Sequence, residues 1–309
     1  MTASARTANR KPAVPASARA AVTDRVKLVV GDTREALRDI DDGTFHCCVT
    51  SPPYWGLRDY GYEGQIGAEA TIDAYVQSLV EVFRDVRRVL REDGTLWLNI
   101  GDAYTSGNRT WRDTDKKNPA RAMTYRPPTP KGLKPKDLIG LPWRIAFALQ
   151  ADGWFLRSDI VWYKPNCQPE SVKDRPTQAH EYLFLLTKSQ DYYYDAAAIR
   201  ETTKDGRGSR NRRSVWEVST EPYAGAHFAV FPRSLVRPCI LAGSPRDGLV
   251  LDPFFGSGTV GAVCLEVGRQ CVGIELKAEY ADLARERLRN VLDGATERAL
   301  ASRGRAALR

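Results

Sequence analysis

The run Leu249-Val250-Leu251-Asp252-Pro253-Phe254-Phe255-Gly256-Ser257-Gly258-Thr259-Val260-Gly261 decides the fold. Three apolar residues with strand preference lead into an acidic residue and a glycine turn, and Val260 to Val267 follows as an apolar helix. Glycines at such a turn let backbone approach a ligand closely, and the helix N-terminus favours a ligand's negative group. Cys271 to Ile274 reads as the next strand and ends at Glu275, an acidic residue placed to accept hydrogen bonds from ribose hydroxyls. The spacing G-x-G-x-x-G is a weak signal alone and leaves the choice between nucleotide-containing cofactors open.

Working outward, strands and helices alternate, which predicts a mostly parallel, doubly wound α/β sheet. Val26 to Val30 is a β-branched run closing on Gly31-Asp32, with a short helix from Thr33 to about Ile40. Phe45 to Thr50 is a buried strand that runs into Ser51-Pro52-Pro53-Tyr54-Trp55. Thr71 to Leu90 has apolar residues at helical spacing, ended by Asp93-Gly94, and Thr95 to Ile100 is a strand closing on Gly101-Asp102. A helix is expected from Asp137 to Ala151, strands at Phe155 to Tyr163 and Glu181 to Thr187, and a short third piece at Asp191 to Tyr194. Phe231 to Ala242 and Ala278 to Leu292 read as helices. There is no internal repeat.

A formal net charge of +8 and a pI near 9.2 favour an anionic partner such as nucleic acid. Between Tyr104 and Lys136 nine Lys and Arg face two acids, interleaved with Trp111, Tyr125 and prolines. Lys116, Lys117 and Arg121 are the expected phosphate contacts in this stretch. A second basic stretch holds Arg207, Arg210, Arg212 and Arg213, of which Arg210, Arg212 and Arg213 are expected to read guanine edges. Six cysteines with no CxxC spacing and only three histidines point to a reducing compartment and to no metal site. No apolar run is long enough for a membrane span. Residues 1–24 are expected to be a disordered basic tail, 104–136 a mobile basic loop, 168–223 a small target-recognition insertion within a catalytic domain at 25–292, and 293–309 a basic tail.

Ser51-Pro52-Pro53-Tyr54 at the end of a strand has a specific chemical use. An exocyclic base amine is a poor nucleophile because its lone pair is delocalised into the ring. Two acceptors on its two hydrogens draw the nitrogen toward tetrahedral geometry and free that pair. Ser51 Oγ and the Pro52 carbonyl are the candidate acceptors; Pro52 and Pro53 restrict the backbone, and Tyr54 offers a face for an extruded base.

Together, Ser51-Pro52-Pro53-Tyr54 and Asp252-Pro253-Phe254-Phe255-Gly256-Ser257-Gly258-Thr259 resemble the catalytic and cofactor motifs of bacterial and phage DNA amino-methyltransferases. Their order, catalysis first and cofactor turn last, is similar to the β arrangement of that family, a circular permutation of the Rossmann-like methyltransferase sheet. Leu96 to Asp102, Trp162 to Asn166 and His227 to Pro232 extend the likeness over 25–292. The resemblance implies S-adenosyl-L-methionine as cofactor and duplex DNA as substrate, with Ser51 at the first catalytic position going with N4 of cytosine and N6 of adenine as the alternative.

It also implies Asp252, Phe254, Phe255, Gly256, Gly258 and Thr259 around the methionine part, Glu275 at the ribose and Asp32 near the adenine, with His227 and Phe231 bordering the pocket. Asp102 would orient Ser51 or help remove the released proton, or else cap a turn. A cytoplasmic, nucleoid-associated enzyme is expected, with room for a restriction endonuclease that shares its site without touching it. An RNA or protein-amide methyltransferase and an inactive DNA-binding relative are the rival classes. A dehydrogenase leaves Ser51 to Tyr54 without a use, and Cys239 sits in an apolar helical stretch unsuited to attack on a base carbon.

Overall fold

The computed structural model describes residues 19–57, 61–105, 128–221 and 231–307. In chain order the strands of its main sheet are β1 (Arg19–Thr23), β2 (Val26–Val30), β3 (Phe45–Thr50), β4 (Leu90–Ile100), β5 (Phe155–Tyr163) and β6 (His180–Thr187). A separate small hairpin of β7 (Glu201–Thr202) and β8 (Ser209–Arg210) follows, and then β9 (Val215–Glu217), β10 (Leu249–Asp252) and β11 (Gln270–Glu275) complete the main sheet. The helices are α1 (Thr33–Arg38), α2 (Ile72–Val89), α3 (Leu141–Ala151), α4 (Arg233–Gly243), α5 (Thr259–Val267) and α6 (Ala278–Ala307). Across the sheet the order is β1-β2-β11-β10-β3-β4-β6-β5-β9. The five strands from β2 to β4 are parallel, β6 runs antiparallel between β4 and β5, and β1 lies antiparallel on the outer edge of β2.

Both faces of this sheet are covered. One core joins Leu37 of α1, Leu79 and Phe83 of α2 and Ile145 of α3; the other joins Leu235 and Ile240 of α4, Val263 of α5 and Leu288 of α6. Side chains alternate along a strand, so Cys48 of β3 enters the first core while Cys47 and Val49 enter the second. Burial on both faces is why these strands read as unbroken apolar runs, and each such side chain contributes about 1.5–3 kcal/mol.

Several expected boundaries move. Arg19–Thr23, placed in the tail at 1–24, forms β1, because the outer edge of β2 offers it unpaired backbone groups. Helix α2 ends at Val89, before Asp93-Gly94, and β4 begins at once. Leu90 pairs with Phe45 and Thr95 with Cys47, so the residues between them are accommodated as an irregularity in the ladder. Helix α3 starts at Leu141, after Gly140, because Asp137 is used in the preceding turn, where it accepts from Lys134 N. Asp191 to Tyr194 forms no strand; Tyr194 instead stacks on Trp97 at 6.3 Å. Helix α6 continues to Ala307, past Leu292, through a run rich in Ala and Arg, both good helix formers.

From β10 the chain passes through α5 to β11 on one side, and from β3 through α2 to β4 on the other. The neighbours β10 and β3 therefore send their continuations apart, opening a crevice at their carboxyl ends.

Candidate active site

The crevice is a cavity of about 1090 Å3, lined by both motifs. On the β10 side, Gly258 at φ 78° begins α5, a left-handed conformation that a side chain would strain. A Cβ there would also lie 3.1 Å from Ala284 Cβ and 3.2 Å from Phe255 Cε1. The Phe255 ring is 3% exposed and lies so close to Gly273 that a Cβ at Gly273 would be 2.2 Å from Phe255 Cδ2. Phe255 is thus the prop beneath the turn as well as part of its wall. Arg287 of α6 braces the same turn, donating to Ser257 Oγ at 3.0 Å and to Thr259 Oγ1 at 2.8 Å.

Two buried carboxylates face this turn. Glu275 accepts from Gly256 N at 2.7 Å and Lys277 N at 2.9 Å, which leaves lone pairs for further donors. Burial raises its pKa against those hydrogen bonds. Asp252 accepts from Thr50 Oγ1 at 2.7 Å and Phe254 N at 3.1 Å, both on Oδ1, while its buried Oδ2 has no partner among the described residues. Burial pushes the Asp252 carboxyl up to about 7. An unpartnered buried acceptor beside a glycine turn and a second carboxylate suits a cationic, hydroxyl-bearing ligand.

On the β3 side, Ser51 is half-buried and Pro52 buried at the mouth of the strand. Tyr75 hydroxyl donates to the Pro53 carbonyl at 2.8 Å, which locks the turn, and no hydrogen bond reaches the Pro52 carbonyl among the described residues. The Tyr54 ring packs over Gly101, where a Cβ would lie 2.8 Å from Tyr54 Cε2. Its hydroxyl donates to Glu181 Oε2 at 2.9 Å, and Ser51 Oγ donates to the Tyr54 oxygen at 3.4 Å. Asn99 Nδ2 adds a bond to Glu181 Oε2 at 3.1 Å, and Lys164 pairs with Glu181 Oε1. Burial first, and then the charge of Glu181, push the Tyr54 hydroxyl well above its usual range, so it remains a donor.

Ser51, Pro52, Pro53, Tyr54, Asp32, Phe231, Phe254, Phe255, Gly256, Thr259, Glu275 and Asp102 all line the cavity. Asp252 and Gly258 do not line it but adjoin Pro253, Ser257 and Thr259, which do. Asp32 caps α1, accepting from Arg34 N at 2.8 Å and pairing with the Arg34 side chain. Burial works to raise its pKa, but the Arg34 hydrogen bonds and charge outweigh burial and hold it low.

The capping expected of Asp102 is present: its carboxylate accepts from Ala103 N at 2.8 Å, Gly140 N at 3.0 Å and Leu141 N at 3.0 Å, at the start of α3. No bond from Asp102 reaches Ser51 among the described residues. The three arginines expected to read bases stand away from the cavity lining. Arg210 and Arg213 are held by Glu201 at 2.8 and 2.7 Å, and Arg212 stacks over Trp216 at 4.3 Å. His227, Lys116, Lys117 and Arg121 lie outside the described residues. Glu181, Asn99, Lys164 and Arg287 were given no role from sequence, since their partners come from distant segments.

Among the described residues no cluster of His, Cys, Asp or Glu could hold a metal ion, and no helix is long and apolar enough to cross a membrane. The chain is 66% identical over 263 residues to the Type II methyltransferase M.SmaI of Serratia marcescens, spanning 85% of this chain and 90% of that protein. The PvuII DNA methyltransferase, described as cytosine-N4-specific, superposes with a TM-score of 0.64 at 20% identity over 88% of this chain and 92% of its own. The modification methylase TTHA0409 of Thermus thermophilus, solved with S-adenosyl-L-methionine, superposes with a TM-score of 0.59 at 26% identity over 87% of this chain and 94% of its own. The model of the DNA methylase family that groups N6 and N4 methyltransferases matches residues 45–286, from the catalytic strand through the cofactor turn, and the chain belongs to that family of DNA-modifying enzymes.

Proposed function

We propose that this DNA methyltransferase transfers a methyl group from S-adenosyl-L-methionine to the exocyclic N4 amine of a cytosine flipped out of duplex DNA. One observation carries the reading: Ser51 Oγ and the Pro52 carbonyl, which no hydrogen bond reaches among the described residues, stand at the end of β3, beside the glycine turn that follows β10. The bound cofactor supplies an electrophilic methyl group on a sulfonium. Glu275 offers acceptors for ribose hydroxyls, Asp252 offers its unpartnered Oδ2 beside the turn, and Phe254 and Phe255 form apolar wall. Asp32 and Phe231 border the same pocket and are proposed to bound the adenine end.

Ser51 and Pro52 accept hydrogen bonds from the two amine hydrogens and so raise the nucleophilicity of the nitrogen as it attacks, and the one proton the methylated nitrogen sheds leaves to solvent. That stabilisation acts in the transition state, where it raises turnover without tightening substrate binding. Tyr54 lines the cavity and provides a ring against the extruded base. The end of β3 leading straight into this pocket, with the two halves of the site reversed in chain order, also supports the permuted arrangement.

DNA enters, in this reading, past the basic segment at 104–136, whose described ends include the cavity-lining Tyr104, Thr105, Pro128 and Pro130. Lys116, Lys117 and Arg121 remain the proposed phosphate contacts. Sequence reading is proposed for the part of 168–223 that reaches the cavity, Gln168, Pro169, Glu170 and Gln178 among it, in preference to Arg210, Arg212 and Arg213.

Mass spectrometry of nucleosides from DNA methylated by the purified protein should give N4-methylcytosine. N6-methyladenine in its place overturns the choice of base and leaves the family intact. Ser51→Ala should lower kcat by about 10²-fold or more with cofactor affinity unchanged. A loss under about threefold would remove Ser51 from the mechanism.

A further inference from the structure

For Ser51 to accept a hydrogen from the substrate amine, its own hydroxyl hydrogen must point elsewhere. A hydroxyl carries one hydrogen and two lone pairs, so the orientation of that hydrogen decides what the cavity sees. Ser51 Oγ lies 3.4 Å from the Tyr54 hydroxyl, and the Tyr54 hydroxyl lies 2.9 Å from Glu181 Oε2. As a carboxylate, Glu181 can only accept. Its Oε1 pairs with Lys164, which itself stands 4.2 Å over the Trp162 ring. Tyr54 has one hydrogen to give, and the charged oxygen at 2.9 Å outcompetes Asn99 Oδ1 at 3.4 Å. The Asn99 amide is held in turn, donating to Glu181 Oε2 and to the Tyr182 carbonyl, both at 3.1 Å. The Tyr54 oxygen is then left as an acceptor for Ser51, and the Ser51 lone pairs turn to the cavity.

We infer that Glu181, held by Lys164 and Asn99, is a positioning residue: it sets the direction of the hydrogen-bond chain Ser51–Tyr54–Glu181 so that Ser51 presents lone pairs to the substrate amine. The inference rests on the proposed role of Ser51. Were the chain reversed, with Tyr54 donating to Ser51, two oxygens without a hydrogen between them would face each other at the Tyr54–Glu181 contact. Glu181 comes from β6 and Ser51 from the end of β3, and they meet because both flank β4 in the sheet. A glutamine at 181 is of similar size, but it can present an amide donor to Tyr54 and so permits the reversed chain.

The test is a double-mutant cycle on the full-length protein with a DNA duplex containing its target and S-adenosyl-L-methionine. Glu181→Gln and Tyr54→Phe should each lower kcat about tenfold, with KM for DNA and the Kd for S-adenosyl-L-methionine changed less than about twofold. Because Glu181 acts through Tyr54, adding Glu181→Gln to Tyr54→Phe should cost less than about a further twofold. Losses that multiply, or full activity of either single variant, overturn the inference. Tyr54→Phe removes a single oxygen and keeps the ring, so its kcat decides the matter if Glu181→Gln melts early. Ser51→Ala is run alongside. If it keeps its activity, the reading of Ser51 fails; if it loses activity while Glu181→Gln does not, only the role of Glu181 fails.

Discussion

The carboxyl of Asp252 shows how far a single position can depart from its reading in sequence. It stands where an acidic residue should follow a strand, and the sequence alone makes it one member of a wall. In the structure it is buried between β10 and Thr50, with one oxygen bonded and the other without a partner among the described residues. Burial raises its pKa from 3.8 to about 7, outweighing the Thr50 and Phe254 hydrogen bonds. A folded-state pKa above the unfolded one means that the folded protein holds the proton more tightly. The resulting stabilisation is complete below the unfolded pKa and is lost as pH rises through the folded value. The ligand-free protein should therefore melt a few degrees lower at about pH 8 than at about pH 6. Asp252→Asn should shrink that difference, and melting curves of wild type and variant that shift in parallel would refute the assignment. Ser51 and Glu275 were legible because each ends an apolar strand. Glu181 was not, because a charged residue at the head of a strand resembles any solvated one until its partners Lys164 and Tyr54 are in place.

Among the elements, α3 shows why a start read from sequence can be misplaced, and the reason is the residue that was misjudged. Gly140, in a left-handed conformation, offers no side-chain cap, so the cap comes from Asp102 at the end of β4. Asp137 was the local candidate and is consumed in its own turn with Lys134. Capping across such a distance leaves no sequence signal. Asp102→Ala should cost about 1–2 kcal/mol of stability, the scale of a lost N-cap, and calorimetric unfolding measures it. A variant as stable as the wild type would return Asp102 to the chemistry. The partners of Arg210, Arg212 and Arg213 were hidden for the opposite reason. Glu201 and Trp216 are close in sequence, but the hairpin of β7 and β8 that brings Glu201 round is only two residues per strand, too short to carry a pattern.

For the whole molecule, the alternation of elements was readable because the central strands are buried on both faces and a helix such as α2 buries one face at helical spacing. The order of strands across the sheet was not readable from pattern alone, since parallel neighbours are chosen by packing. Strands β2 and β3 are close in the chain yet separated in the sheet by β11 and β10, with Val26 pairing with Cys271 and Cys47 with Val250. A chain truncated after Gly243 therefore leaves β2 and β3 each with an open edge and apolar faces uncovered. Such a fragment should fail to give a soluble monomer by size-exclusion chromatography, whereas a folded monomer with native far-ultraviolet dichroism would contradict the pairing. The same placement governs timing during synthesis. A ribosome delivers β3 and the Ser51 that follows it before β11 and its Glu275, and in the finished sheet β11 lies between β2 and β10, both made before it. Until β11 pairs with β2, Glu275 is missing from the cavity that Ser51 lines, so the two halves of the site come together late in the making of the chain.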